Sequence, residues 1–275
     1  MALVTSPANA AVKAARKLAR RQERARTGAF LVEGPDVIRE ALPYLERVFA
    51  TAEAVRREGD LLARARAVGA QVVEVADDVL ASLADTVTPQ GLVAVATLPV
   101  PALDGMLDEI GRITAAPLLI VLSEVRDPGN VGAIIRSADA GGADAVVLTT
   151  GSVDPGNPKA VRASAGSLFH LPVVTEVDGD DLVAACRARG IQLVAAAPRG
   201  AVPFTRVDLT RPTALVFGNE AHGLDDALLA ACDLAAVAPI HAGPRAGRSG
   251  SAESLNLAAT VAVFVYEAAR QREAA

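Results

Sequence analysis

Three short polar clusters in an otherwise apolar chain carry residue types that chemistry needs. The first is Asp127–Arg136, a Pro-Gly-containing loop running into a helix, with Asn130 in the loop and Arg136 beyond it. Free N–H groups at a helix start can take an anion. Arg136, within the first two turns on this reading, can face the same place. The stretch is not a P-loop, since no Gly-Lys-Ser/Thr follows, and it is not a GxGxxG fingerprint. The second cluster is Gly218-Asn219-Glu220, closed by Gly223, at the end of a strand Leu215–Phe217. Glycine lets a backbone approach a ligand closely, and open α/β sheets bind ligands at the C-terminal ends of their strands, where Glu220 places a carboxylate. The third cluster is Glu253-Ser254-Leu255-Asn256, opening a long apolar helix. Ser254 is a good N-cap and Glu253 complements the positive helix end. Asn256 then falls inside the helix, where Asn is mildly unfavourable, and a residue that breaks a local rule is a candidate for function. Each cluster also has an ordinary explanation: Asn130 as a helix cap, Arg136 as a surface ion pair, Glu220 as a carboxylate capping a helix near Leu224.

Other chemistries find little support. Cys186 and Cys232 lie far apart with no CxxC, which argues against a disulfide framework and for a reduced, cytosolic setting. Neither segment offers the electropositive, exposed surroundings of a reactive thiol. His170, His222 and His241 lack metal-ligand spacing, so no metal is expected. No apolar run approaches the ~20 residues of a membrane span, and no signal-peptide core is present.

The elements that must hold these clusters follow from the hydrophobic pattern. The 275 residues are enough for two cores. With 51% apolar, 3% aromatic and no Trp, those cores are built from Ala, Val and Leu. Residues 1–28 read as a basic helix, 29–98 as a small α/β domain of alternating short strands and helices, and 99–117 as a proline-bracketed linker with a short helix at Leu103–Ile110. Residues 118–275 read as a second α/β domain with a largely parallel sheet. Its expected strands include Leu118–Leu122, Ala145–Thr149, Gln192–Ala196, Thr213–Phe217 and Leu234–Ile240, and its last helix runs from about Ser254 to Arg270.

The net charge of −5 demands no nucleic-acid partner, but the charge is uneven. From Pro7 to Gly28, Lys13, Arg16, Lys17, Arg20, Arg21, Arg24 and Arg26 face a single acid, Glu23. A solvated helix face is one reading. A phosphate-binding patch is the other, favoured because the rest of the chain is acidic.

Taken in order, DPGNVGAIIRSADA, VFGNEAHGL and AESLNLAATVAVFVYE resemble the three signature motifs of the SpoU (TrmH-like) branch of the SPOUT RNA methyltransferases. The resemblance covers about Leu118 to Arg270, and three ordered motifs are far more specific than one. FLVEGPDVIREAL is similar to the substrate-binding domain, of ribosomal-protein-L30-like fold, that precedes the catalytic domain in rRNA-modifying members. SPANAAVKAARKLARR is similar to the start of the thiostrepton-resistance or 23S rRNA methyltransferase subgroup.

The resemblance implies methyl transfer from S-adenosylmethionine to a ribose 2′-hydroxyl of RNA, with 23S rRNA as the expected substrate. It implies a homodimer whose active sites draw on both subunits, a cytoplasmic location, and a C-terminal trefoil knot that topology rules alone would not supply. It casts Asn130, Arg136, Glu220, Ser254 and Asn256 as the catalytic set. Backbone and side chains at Gly218, Asn219, Glu220, Gly223, Ile240, Leu255 and Asn256 are cast as the cofactor cradle. RNA then falls to Lys13, Arg16, Lys17, Arg20, Arg21 and Arg24. Two departures stand out: the Gly/Arg-rich stretch from His241 to Gly250, longer than the family's link and able to meet RNA or impair cofactor binding, and Ala221, where relatives often carry Gly. A tRNA enzyme of the same class is disfavoured by the extra N-terminal domain. A silent RNA-binding assembly factor of the same fold remains an alternative, and an oxidoreductase is disfavoured by the absent fingerprint.

Overall fold

The structure, a computed structural model, describes residues 3–240 and 254–274. The stretch His241–Gly250 therefore lies outside the described residues. In chain order the elements begin with α1 (Ala10–Lys17), α2 (Arg21–Thr27), β1 (Ala29–Glu33), α3 (Pro35–Glu40), β2 (Leu45–Ala50), α4 (Ala52–Arg57), α5 (Gly59–Ala67), β3 (Gln71–Glu74), α6 (Asp77–Ala81) and β4 (Leu92–Thr97). They continue with α7 (Leu103–Ile113), β5 (Leu118–Leu122), α8 (Pro128–Ala140), β6 (Ala145–Thr149), α9 (Pro158–Ser164), β7 (Val173–Val177), α10 (Gly179–Ala188) and β8 (Gln192–Ala196). The last are β9 (Val202–Pro203), β10 (Thr213–Phe217), α11 (Asp226–Ala231), β11 (Leu234–Val237) and α12 (Leu257–Glu273).

The chain divides into two compact units. The first comprises the residues up to Pro99 together with Asp154–His170, and the second comprises Val100–Val153 and the residues from Leu171 onward. The helix α9, inside the sequence of the second domain, thus packs into the first unit.

In the first unit the sheet order is β1-β4-β2-β3, antiparallel except for the parallel β2–β3 pair. The expected basic helix is two helices, broken at Leu18–Arg20. Asn9 caps α1 by accepting from the amides of Ala11 and Val12, and Gly28 ends α2 at φ 71°. Val12, Ala15 and Leu18 bury one face against Leu31, Val79, Leu80, Val93 and Val95, a spacing that leaves the cationic side chains outward. Between β2 and β3 the chain likewise forms two helices, α4 and α5, separated at Glu58.

In the second unit the described strands form a seven-stranded sheet, order β7-β6-β5-β10-β8-β11-β9, parallel throughout. One face carries Leu119, Val121, Val147, Leu193, Ala214 and Val216 against α7, α10 and α11. Helix α7 buries Met106, Leu107 and Ile110 in that core, so this part of the expected linker is structural. On α8 and α12, Ile134, Ile135, Val261, Phe264 and Val265 are buried, and the Phe264 ring meets Phe217 edge-on at 5.5 Å. Burial on both faces is why β5, β6 and β10 are unbroken apolar runs. At Gly141 an added Cβ would lie 2.1 Å from Val265 Cγ1, so α8 and α12 approach through a glycine.

The strand order reverses between β5 and β10. Such a switch point opens a crevice at the carboxyl ends of the strands, and the first two motifs leave the sheet there. At the opposite end of α12, Gln271 donates to Val207 O and accepts from Leu209 N. Arg272 donates to the carbonyls of Ala116 (2.5 Å), Leu209 (2.9 Å), Arg211 (3.1 Å) and Pro117 (3.4 Å). Burial lowers the pKa of this guanidinium below its ordinary value, but four carbonyl acceptors keep it satisfied.

Candidate active site

Helix α8 begins at Pro128, so Asn130 lies in the helix rather than in the loop, and its cap is Asp127, whose carboxylate accepts from the amides of Gly129 (2.6 Å) and Asn130 (3.3 Å). Proline at the first helical position lacks the N–H that would go unpaired there. The cap being taken, the Asn130 side chain is free to bond elsewhere. Its Nδ2 donates to Glu220 Oε1 at 2.7 Å, and its Oδ1 accepts from Asn256 Nδ2 at 3.2 Å. One hydrogen-bonded relay, Asn256 to Asn130 to Glu220, therefore joins all three motifs across 90 and 126 residues of sequence.

Asn256 does not break a helix rule. It is the N-cap of α12, with Oδ1 accepting from Ala258 N (2.9 Å) and Ala259 N (3.3 Å). Ser254 lies two residues ahead of that cap, exposed, and is not the N-cap. The correction has a simple cause. Ser and Asn both cap well, and the three-residue lead from Ser254 to Leu257 has no apolar period to choose between them. Glu220 caps nothing: α11 is capped by Asp225. Asn256 thus spends its oxygen on the helix and its amide on the relay, a division closed to an ionised Asp, which has no donor.

The second motif is a tight turn. Asn219 and Gly223 exchange backbone hydrogen bonds, N to O, at 2.9 and 2.8 Å. Gly223 sits at φ 74°. An added Cβ at Gly218 would lie 2.2 Å from the Gly223 carbonyl carbon, so this glycine is required first by its own turn. The Asn219 side chain accepts from Ala221 N and donates to Glu124 O, both at 2.8 Å, tying this turn to the loop after β5. Glu124 itself is held at φ 52°, an uncommon conformation for a residue other than glycine. Its amide donates to Thr149 Oγ1 at 3.2 Å. Glu124, Asp127 and Thr149 were missed in the sequence. Asp127-Pro128 was a readable helix start; the position of Thr149 one strand away from the loop required the sheet order.

Arg136 is exposed, with no ion pair or hydrogen bond among the described residues. It follows Asn130 by six helical positions, which turns it roughly 240° about the axis and carries it about 9 Å along. Within one chain it does not join the relay, contrary to the shared facing expected from the sequence. Ile240 and Leu255 are large apolar side chains left 40% and 43% exposed, both outside regular elements, since β11 ends at Val237 rather than Ile240. An S-adenosylmethionine fits these features: uncovered apolar side chains suit its adenine and methylene parts, and the Gly218–Gly223 turn presents backbone at a strand's carboxyl end.

The thiols are inert. Burial pushes Cys186 up to about 12 and Cys232 up to about 11, so neither supplies a thiolate near neutrality. Among the described residues no His/Cys/Asp/Glu group could hold a metal ion. No helix of the described chain is long and apolar enough to cross a membrane.

On the first unit, Lys13, Arg16, Lys17, Arg20 and Arg21 are exposed. Arg24 is not. It is 6% exposed, with Nε on Asp154 Oδ2 at 2.6 Å and Nη1 on Leu18 O and Ala19 O at 2.8 and 3.0 Å. It closes the break between α1 and α2 and leaves the basic face.

Comparison with known proteins agrees with this geometry. Residues 117–266 match the SpoU rRNA Methylase family, and residues 9–94 match the MRM3-like substrate binding domain. A 23S rRNA guanosine 2′-O-methyltransferase of Bacillus subtilis (strain 168) is 34% identical over 268 residues, 97% of this chain and 98% of that protein. A 23S rRNA uridine 2′-O-methyltransferase of Streptomyces viridochromogenes is 36% identical over 265 residues, 93% and 87% of the two chains. Among solved structures, the AdoMet-bound rRNA methyltransferase from Sinorhizobium meliloti superposes with a TM-score of 0.83 at 30% identity, covering 98% of this chain and 97% of that one. The SpoU methyltransferase AviRb from Streptomyces viridochromogenes, in complex with AdoMet, gives 0.81 at 34% identity, covering 97% and 100%. The parallel α/β fold, the three-motif relay and the match over more than half its length agree: the chain belongs to the SpoU rRNA methylase family.

Proposed function

We propose that the protein transfers a methyl group from S-adenosylmethionine to a ribose 2′-hydroxyl of 23S rRNA, as a cytoplasmic homodimer. The observation that carries this reading is the relay Asn256–Asn130–Glu220 at the carboxyl edge of β5 and β10. Both relatives named above act on 23S rRNA, one at a guanosine and the other at a uridine. Their shared feature is methylation at the ribose 2′-oxygen.

The bound cofactor supplies an electrophilic methyl on sulfur; the protein positions the reactants and stabilises charge. Glu220 accepts from Asn130, whose own acceptor is filled by Asn256, so the three side chains hold one orientation. Asn219 locks the turn carrying Glu220 to the loop after β5. Gly218, Gly223, Ile240 and Leu255 form the cofactor cradle. A guanidinium stays protonated in proteins, so Arg136 is assigned charge stabilisation, and the 2′-hydroxyl proton passes to solvent water as the methyl leaves sulfur for the 2′-oxygen. Arg136 binds the phosphate beside the target and stabilises the alkoxide developing on the 2′-oxygen. Because Arg136 faces away from its own relay, it serves the relay of a second copy, which is why the site needs a dimer. The knotted topology and the L30-like character of the first unit belong to the same reading. Lys13, Arg16, Lys17, Arg20 and Arg21 hold RNA, and Ser254 adds a hydroxyl at the approach to α12.

The test is site mapping. The protein is incubated with S-adenosylmethionine and 23S rRNA, and the RNA is scanned for a ribose resistant to alkaline cleavage, since 2′-O-methylation blocks that reaction. Arg136→Ala is expected to abolish the mark, at least a hundredfold in rate, while cofactor affinity by calorimetry stays within about twofold. Wild-type rates in that variant would refute the role given to Arg136; absence of any mark with the wild type would refute the reading itself.

A further inference from the structure

The first unit contains a cavity of about 210 Å³. This is below the roughly 300 Å³ at which sites for drug-sized ligands begin, so it suits one planar ring system rather than a whole cofactor. Its walls include Leu31 and Val93 from the sheet and Val161 from α9, all buried. Its rim includes Arg16, Asp85 and Arg162. Arg162 Nη1 meets Asp85 Oδ2 at 2.5 Å, which leaves one carboxylate oxygen and the remaining guanidinium N–H groups for a ligand. The rim loop is held in place beforehand. Glu33, also at the cavity, accepts from the amides of Asp85 (3.1 Å) and Thr86 (3.3 Å) and from the Thr86 hydroxyl.

Charge says what enters. Two carboxylates at the cavity disfavour a bare anion inside it. Arg16, exposed and without an ion-pair partner among the described residues, stands at the mouth. It also belongs to the cationic face of α1 with Lys13 and Lys17, which continues to Arg20. A phosphate track beside a slot that offers guanidinium planes, a donor and an acceptor at its edge can hold an unstacked base of a polynucleotide.

We infer that this cavity receives one unstacked nucleobase of the RNA substrate, with the adjoining phosphate on Arg16, as an anchor separate from the ribose that is modified. The inference rests on the RNA-methyltransferase reading above. The ring packs against Ala19, Ala84 and Pro158, which keep exposed surface at the cavity, over a floor of Leu31, Val93 and Val161, and the base edge bonds to Asp85 and Arg162. Every base offers a donor and an acceptor on that edge, so the slot anchors without fixing the base by itself.

The test uses the full-length protein and an rRNA fragment that the wild type methylates. Ala19, exposed and lining the cavity, is changed to Trp to fill the mouth, and Ala84→Trp fills it from the opposite loop. Each is expected to weaken RNA binding about tenfold, as loss of one apolar contact and one edge hydrogen bond would. The salt dependence, cofactor affinity and melting temperature should be unchanged. Arg16→Ala should instead lower the salt slope by about one. With 5-iodouridine-substituted RNA, photocrosslinks should fall on residues 82–85 and 158–162 of the wild type and vanish in the Ala19→Trp protein. Wild-type affinity in whichever Trp variant keeps its melting temperature, or crosslinks that bypass both segments, would overturn the anchor. Failure of the wild type to methylate any rRNA would overturn the underlying activity instead.

Discussion

Asn130 is the residue on which the site turns, because it uses both ends of its amide. Its Nδ2 serves the Glu220 carboxylate at 2.7 Å and its Oδ1 serves Asn256 at 3.2 Å. Asn130→Asp keeps the acceptor but sets a carboxylate against a carboxylate. A hydrogen bond to a charged group contributes about 1.5–3 kcal/mol, so Asn130→Ala should slow methylation by roughly tenfold to a hundredfold. Asn130→Asp should be slower still, because repulsion is added to the loss. Adding Glu220→Gln to Asn130→Asp should recover part of the rate, since an amide can donate to the new carboxylate. Single-turnover rates on the four proteins check this; a double variant no faster than Asn130→Asp alone would separate the relay from catalysis. The relay's members were legible as residue types in odd places, but their pairing was not, since 90 and 126 residues of chain lie between partners. For Arg24 the sequence misled. Nothing in a run of cations marks the one that turns inward to Asp154 and two carbonyls.

Elements were legible in proportion to how sharply burial changes at their ends. The strands β5, β6, β8 and β10 have the boundaries read from the sequence, because each is a buried apolar run stopped by polar or turn residues. Helix starts were less visible. For α8 the pattern of buried residues begins at Val131, three positions after the true start at Pro128. The break between α4 and α5 leaves the apolar period undisturbed, so only Gly59 hinted at it. At α12 the choice of cap between Ser254 and Asn256 can be measured. Loss of an Asn cap costs about 1 kcal/mol, whereas surface changes away from such features stay within about 0.5 kcal/mol. Urea denaturation should therefore rank Asn256→Ala below Ser254→Ala by about that difference. Equal stabilities would return the cap to an open question.

At the scale of the molecule, an acidic chain of net charge −5 carries a cationic face on α1 and the turn after it. Total charge hid this face and local patterning exposed it. Neutralising Lys13, Lys17 and Arg20 to Gln removes charges that touch no core residue. RNA affinity should fall at low salt, and the slope of log K against log salt should shrink by roughly 2 to 3 if each cation meets a phosphate. An unaltered slope would make the face a solvated one. The assignment of Asp154–His170 to the first unit was beyond sequence reasoning, because α9 carries an ordinary helical pattern with no sign of which sheet it covers. The carbonyl clamp at Gln271 and Arg272 was equally silent, yet it has a consequence for motion. Helix α12 is a 17-residue rod, about 25 Å long, pinned at its far end and bearing Asn256 at its near end. Opening at the pins loosens the rod as one cooperative segment, and the relay is broken from a distance. Arg272→Lys, which replaces a planar fork by a point charge, should speed amide exchange along α12 about tenfold. Methylation should slow together with it, although residue 272 lies at the end of α12 away from the relay; exchange that quickens with full turnover would show that the rod holds its tip unaided.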